Sequence, residues 1–385
     1  MIRTCCPICG SSEKMEMFER DFSGMREIVP FLKYTVYACK KCGMVYAGDI
    51  SESMTLSQYY DICSKYTDNN YYLSTSSSKR FEMISGLFEK EIDKDASILE
   101  IGCAEGFLLD MLLKRGYSNV FGIEPSSQCV SYARENLHLD VVEGGLGNMH
   151  SLGQKKFDVI VLEQVLEHIE DSKDAILEMN DHLTENGKIC IGVPDAGAFK
   201  ENIDFYRQFS SEHINYFSEG SITNLMNSCG FEKIKVLRND SEKTFITLWK
   251  RTGCIKDIRF DRLGVETVET YISKNELYTE KLREKVNKSL ANLSEKDKKF
   301  YIWGGGTFTA TLVQMQLIDP LDILAVIDTN RNFHGHKIFG KTIISPEYIK
   351  NDNPILISVY GNAVNSIRSY IQKKCISNRI IYIDI

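Results

Sequence analysis

The chain has 385 residues, 43% of them apolar and 26% charged, with a net charge of −7 near neutral pH. That length holds two or three domains with ample cores, and the acidic balance with scattered Lys and Arg excludes a surface built to track a phosphate backbone. No apolar run reaches bilayer length and the opening MIRTCCPICG lacks the apolar core of a signal peptide, so a cytoplasmic protein with neither membrane nor nucleic-acid partners is expected.

In a reducing compartment the twelve cysteines are expected to be thiols or metal ligands. Cys6-Pro-Ile-Cys9-Gly10 and Cys39-Lys-Lys-Cys42-Gly43 form two CxxCG knuckles separated by twenty-nine residues. Each turn delivers two thiolates to one ion, and the trailing glycine relieves the backbone beneath them. Two knuckles complete a tetrahedral four-thiolate zinc site with no open position, which makes it structural. Binding free energies of roughly 10–16 kcal/mol suffice to organise a segment this small. Residues 1–60 therefore read as a zinc-binding module, with strand residues over 33–38. Cys63, Cys103, Cys129, Cys190, Cys229, Cys254 and Cys375 read as small core residues. Residues 61–79, in the run YYDICSKYTDNNYYLSTSSSK, are rich in Tyr, Ser and Asn and read as a solvated loop.

Over residues 80–250, apolar β-rich runs (98–101, 120–124, 141–142, 158–162, 188–193) alternate with helical ones, which predicts an α/β fold around a parallel sheet. The stretch SILEIGCAEGFLLDMLLKRG, residues 97–116, is a strand, a small-residue turn and a helix start, the layout that binds a nucleotide-like ligand at the carboxyl edge of such a sheet. The dinucleotide fingerprint would need Gly at positions that hold Gly102, Ala104 and Phe107. The run Glu100-Ile-Gly102-Cys-Ala104-Glu-Gly106 resembles instead the E/D-x-G-x-G-x-G loop of class I methyltransferases that use S-adenosylmethionine, with Ala104 for the middle Gly. The resemblance implies that the small residues lie against the methionine part of the cofactor. The next strand ends at Glu124-Pro125, where a carboxylate can accept from both ribose hydroxyls. The third, FDVIVLEQVLEHIED with Glu163, Gln164 and His168, is similar to the FDxIxxxxxLEHxxD segment of the same enzymes. His168 reads as structural or cofactor-shaping. A helix at 220–229 and β-rich runs at 233–237 and 244–249 match the hairpin that closes the sheet of these proteins.

Residues 251–298 read as a helical connector, with an apolar stripe at Leu282, Val286, Leu290 and Leu293. From 299 to 385 a second α/β unit is expected. A strand at 300–303 meets Gly304-Gly305-Gly306, a helix spans 307–316, and strands follow at 323–327 and 355–359. Thr309 stands where a third dinucleotide Gly would be, which disfavours NAD.

This order of modules resembles the nucleotide-sugar C-methyltransferases of deoxysugar biosynthesis over nearly the whole chain. Two local matches join it: Glu212-His213-Ile-Asn-Tyr216-Phe217-Ser218 fits an E-H-x-x-x-[FY]-S element, and Tyr72 with Ser74-Thr75-Ser76-Ser77 fits a Tyr and Ser patch, making 61–79 a substrate loop. The resemblance implies S-adenosylmethionine and structural zinc as cofactors, and a nucleoside-diphosphate 4-keto-6-deoxy sugar as substrate. It also implies His213 as the base that raises an enolate, Glu212 fixing its tautomer, and Tyr72 or Tyr216 donating to the enolate oxygen. Ser210 departs from the family, which has a Tyr three residues before the His; Tyr206 or Tyr72 could supply the phenol. With that departure, O- or N-methylation of a related sugar stays open. An RNA methyltransferase also carries zinc knuckles in some cases, but the acidic balance and the extra C-terminal domain count against it.

Overall fold

Alternating polar and apolar residues build the first sheet of the computed structural model, which describes residues 3–63, 75–147, 149–291 and 298–383. Strands β1 (Lys14–Asp21), β2 (Phe31–Cys39) and β3 (Val45–Glu52) pair antiparallel in chain order. Helices α1 (Leu56–Cys63) and α2 (Thr75–Glu91) follow, so the expected loop over 61–79 is helical at both ends. The serine run is the first turn of α2, where short polar side chains suit a helix start. Phe81, Ile84, Leu87 and Phe88 give that helix its buried stripe. Tyr72 lies outside the described residues.

The central unit runs β4 (Ser97–Ile101), α3 (Phe107–Lys114), β5 (Asn119–Glu124), α4 (Ser127–Asn136), β6 (Val141–Glu143), β7 (Phe157–Glu163), α5 (Ser172–Asp181) and β8 (Leu183–Pro194). After the two-residue strand β9 (Asn215–Tyr216) come α6 (Glu219–Ser228), β10 (Phe231–Asn239) and β11 (Thr244–Arg251). The seven-stranded sheet has the order β10-β11-β8-β7-β4-β5-β6. Its strands β4 to β8 are parallel, and β11 enters antiparallel between β8 and β10. Strand β9 belongs elsewhere: it pairs with the free edge of β3, Val45 opposite Tyr216 and Tyr46 opposite Asn215. The sheet of the N-terminal module thus continues into the polypeptide that follows β8.

Helix α7 (Arg262–Leu290) leads to the last unit, with β12 (Phe300–Trp303), α8 (Thr307–Gln314), β13 (Ile323–Ile327), β14 (Lys337–Ile338), β15 (Lys341–Ile344), β16 (Ile355–Ile357), α9 (Asn362–Lys374) and β17 (Ile380–Tyr382). Its sheet order is β14-β15-β13-β12-β16-β17, parallel except for β14. The fold is α/β: a parallel-dominated sheet with an N-terminal module and a second Rossmann-like domain.

An aromatic core joins the units. Phe209 packs edge-on against Tyr216 and Tyr271 of α7, and Phe205 lies against Phe308 of α8 at 5.0 Å. Tyr206 is stacked on Phe18 at 4.3 Å within that core, so it is not placed to replace the phenol that Ser210 lacks. Of the cysteines expected in cores, Cys103, Cys129, Cys190 and Cys229 are buried, whereas Cys254 and Cys375 are exposed. Cys254 follows β11 in irregular chain and Cys375 caps α9 in a left-handed conformation, positions that face solvent.

Candidate active site

The carboxyl edge of the central sheet gathers the residues that the glycine-loop motif points to. Gly102 (φ 71°), Ala104 (φ 47°) and Gly106 (φ 84°) all take left-handed backbone, so the turn between β4 and α3 curls tightly. A side chain at Gly102 would meet Val165 Cγ2 at 2.7 Å, which explains why that position is bare. Ala104 carries its methyl in a conformation that Gly adopts freely. Its N–H donates to Glu124 Oε2 at 2.9 Å, and the Ser126 N–H donates to Oε1 at 2.9 Å. Both oxygens of Glu124 are therefore oriented by backbone, with lone pairs to spare. Pro125 is the exposed step into α4.

Three carboxylates crowd this edge. Glu100, Glu124 and Glu163 are all buried, and burial raises the pKa of each above the ordinary glutamate range. Neighbouring Glu163 and Glu124 push Glu100 further. Oε2 of Glu100, Oε2 of Glu163 and Nε2 of Gln164 have no hydrogen-bond partner among the described residues. Buried polar atoms left bare are costly, and a sheet edge lined by carboxyl groups suits a cationic ligand. S-adenosylmethionine, with a sulfonium and an ammonium, fits that donor and acceptor set. Gln164 takes left-handed backbone (φ 57°) at the end of β7. Arg80 of α2, which carries no motif in the sequence, donates to Glu163 Oε1 at 2.5 Å and to Glu242 at 2.7 Å.

The four cysteines converge as expected. Cys6 Sγ lies 3.5 Å from Cys42 Sγ, Cys9 Sγ lies 3.5 Å from Cys39 Sγ, and all four sulfurs fall within 4.8 Å of one another. A zinc tetrahedron with bonds near 2.3 Å has edges of about 3.8 Å, so the set fits. Gly10 (φ 67°) and Gly43 (φ 77°) turn each knuckle, their N–H groups donating to the carbonyls of Cys6 and Cys39.

His213 sits where the modules meet. The Ser210 hydroxyl accepts from the N–H groups of Glu212 (3.3 Å) and His213 (3.1 Å), so the residue that departs from the family pattern shapes the turn carrying the histidine. The Tyr216 hydroxyl donates to the His213 carbonyl at 3.1 Å and lies 3.3 Å from the Tyr34 hydroxyl, inside the protein. That directs Tyr216 to supporting the turn and away from an enolate oxygen. Glu212 is likewise not the group that fixes the His213 tautomer. Its carboxylate accepts from the Tyr59 hydroxyl (2.8 Å), and its carbonyl faces His168 Nδ1 (3.0 Å). The rings of His168 and His213 meet edge to face at 4.9 Å. Burial pushes the pKa of His213 down to about 3, with His168 adding to the shift, so the ring is neutral at working pH. Glu167, the Glu of the LEHxxD match, lies 1% exposed beside both histidines.

Part of the chain is similar to known methyltransferases. The family described as "Methyltransferase domain" matches residues 77–236. The mitochondrial ubiquinone biosynthesis O-methyltransferase of Schizosaccharomyces pombe is 27% identical over 128 residues, 31% of this chain and 46% of that protein. A probable S-adenosylmethionine-dependent methyltransferase of Mycolicibacterium smegmatis is 26% identical over 136 residues, 35% of this chain and 51% of that one. The chain thus spans about half or less of these relatives. Among solved structures, the Synechocystis magnesium protoporphyrin IX methyltransferase with bound S-adenosylmethionine is 14% identical with a TM-score of 0.40, covering 51% of this chain and 95% of that one. Residues 77–236 match the methyltransferase-domain family and lie between a four-cysteine module and a second α/β domain.

Proposed function

We propose that the protein methylates a carbon of a nucleotide-linked 4-keto-6-deoxy sugar, with His213 as the base. The observation that supports this best is the seating of His213. Its turn is joined to the end of β7 through the bond from Ile214 N–H to the Glu167 carbonyl, and Glu163 and Gln164 of the cofactor pocket stand four and three residues before Glu167. On its other side, Phe205 packs against Phe308 and Tyr360 of the C-terminal unit. A substrate held between the methyltransferase and C-terminal domains would meet His213 and the cofactor pocket together.

When bound, S-adenosylmethionine supplies an electrophilic methyl on a sulfonium leaving group. His213 takes the proton from the carbon beside the ketone, and the electron pair of that C–H bond spreads onto the ketone oxygen. Gly102, Ala104, Gly106 and Glu124 would hold the cofactor, which would deliver its methyl to that carbon and leave as S-adenosylhomocysteine. Tyr72, which precedes α2 in the chain, is the proposed donor to the enolate oxygen. Cys6, Cys9, Cys39 and Cys42 would hold a structural zinc that keeps β3 and β9 in register.

Mass spectrometry with a panel of nucleotide-linked 4-keto-6-deoxy sugars in deuterated water tests the reading. The expected product gains one methylene, and in the absence of S-adenosylmethionine the enzyme exchanges the hydrogen beside the ketone for deuterium. His213→Ala abolishes both while cofactor affinity stays within a few-fold. Methylation without exchange would identify an oxygen or nitrogen acceptor instead, and unchanged turnover in His213→Ala would remove the base assignment.

A further inference from the structure

We propose that Glu167, His168 and His213 form a second metal site, taking one divalent first-row transition ion, and that this ion and the base role of His213 exclude each other. The three side chains bring their ligand atoms within 4.8 Å of one another. Ligands about 2.0–2.2 Å from a tetrahedral ion lie about 3.3–3.6 Å apart, which these side chains reach by rotamer adjustment.

Glu167 is the strongest sign. It is 1% exposed, yet neither carboxylate oxygen has a hydrogen-bond partner among the described residues. A buried carboxylate with both oxygens bare calls for a cation. Glu163 and Glu212 lie within electrostatic range and add negative charge, against Arg80 on the positive side.

His168 is oriented to ligate. Its Nδ1 faces the Glu212 carbonyl at 3.0 Å, and a carbonyl only accepts, so Nδ1 bears the hydrogen and Nε2 keeps its lone pair. An imidazole N–H fixed on a backbone carbonyl is the usual support behind a metal-bound histidine. His213 meets His168 at 4.9 Å between ring centres, on a turn fixed by Ser210. The two segments cannot drift apart, because the Ile214 N–H donates to the Glu167 carbonyl at 2.9 Å.

Two imidazoles and one carboxylate select zinc, cobalt or nickel over calcium or magnesium, which prefer all-oxygen sets. The four thiolates of the N-terminal site are chemically distinct, so the two sites can be told apart by spectrum. The His213 lone pair that would accept a substrate proton is the one an ion would occupy, and loading this site therefore stops proton removal.

The test, which rests on the base assignment only for the mutual exclusion, is titration with cobalt of the full chain carrying one equivalent of zinc, followed by calorimetry and visible absorption. The expected result is one further equivalent with nitrogen and oxygen d–d bands and no new thiolate charge-transfer band. Glu167→Gln and His168→Ala should each weaken cobalt binding beyond the roughly 10–100-fold typical of losing a supporting partner. Should Glu167→Gln fail to fold by circular dichroism, His213→Asn at its half-buried position reads the same site. Absence of a second equivalent, or equal binding by the variants, overturns the proposal. Cobalt binding by a protein that methylates no keto sugar would refute only the substrate reading, and methylation without cobalt uptake would refute only the metal site.

Discussion

Ala104 stands at the loop position where the related motif has Gly, and its φ of 47° is the conformation in which a β-carbon is strained. That strain costs about 1–2 kcal/mol, while glycine would give back about 0.4–1 kcal/mol through a more disordered unfolded chain. Ala104→Gly is thus expected to raise stability by up to about 1 kcal/mol. Thermal melting reads the gain, and cofactor titration should show affinity unchanged, because the bond from the residue 104 N–H to Glu124 is kept. Glu124→Ala removes that anchor and the ribose acceptor together. Its expected effect is a cofactor Kd about 10–100-fold higher, roughly 1.5–3 kcal/mol of charge-assisted hydrogen bonding. An unchanged Kd in the titration would place the ribose elsewhere. Residues with a motif around them, such as Gly102 and Cys39, were legible in the sequence. Arg80 was not, because a lone Arg on an ordinary segment acquires meaning only from partners far along the chain.

At the level of elements, the sequence revealed the strands of the central sheet because each is a short apolar run between turns. It hid β9, since two residues carry no periodicity and the pairing with β3 is formed by chain about 170 residues away. It also hid α1 and the start of α2, where Tyr, Ser and Asn imitate loop composition while Tyr59 and Phe81 are buried. These missed elements are the ones that hold the site. Arg3, 5% exposed, donates to the carbonyls of Ile214 (3.0 Å) and Glu170 (2.5 Å) and to Asn215 Oδ1 (2.7 Å), tying the N-terminus to β9. Cys39 ends β2 and Cys42 lies in the turn before β3, so a zinc ion held there would set the register that β9 follows. Stripping metal with a strong chelator is expected to abolish turnover in step with zinc content, while cofactor affinity changes only a few-fold. Turnover that persists in zinc-free protein would mean that β9 is held by Arg3 and packing alone.

Across the whole molecule, the module order was readable because each module announces itself by local chemistry: paired cysteines, a small-residue turn, a second glycine turn. The aromatic core that joins them was not, since Phe205, Phe209 and Tyr271 look in sequence like any buried residues. The assembled charge distribution was equally invisible, and it has a consequence for pH. Glu100 and Glu124 have folded pKa values raised by burial, Glu100 well above the usual range. Carboxylates that hold protons more tightly when folded lower stability as pH rises from their unfolded value of about 4.3 through the folded one. Below that window they are protonated in both states and the penalty vanishes. A cation bound among them reverses the balance, since it meets ionised carboxylates that folding had already desolvated. The stabilisation conferred by saturating S-adenosylmethionine is therefore expected to be small near about pH 4.5 and to grow toward neutrality, read as the shift in Tm at each pH. Glu100→Gln, which removes the most strongly perturbed of these acids without changing its size, should flatten that dependence. A cofactor-induced shift that ignores pH in the parent protein would mean that the positive charge of the ligand lies away from the β4 edge, and the pocket would then have to be sought beyond Glu100.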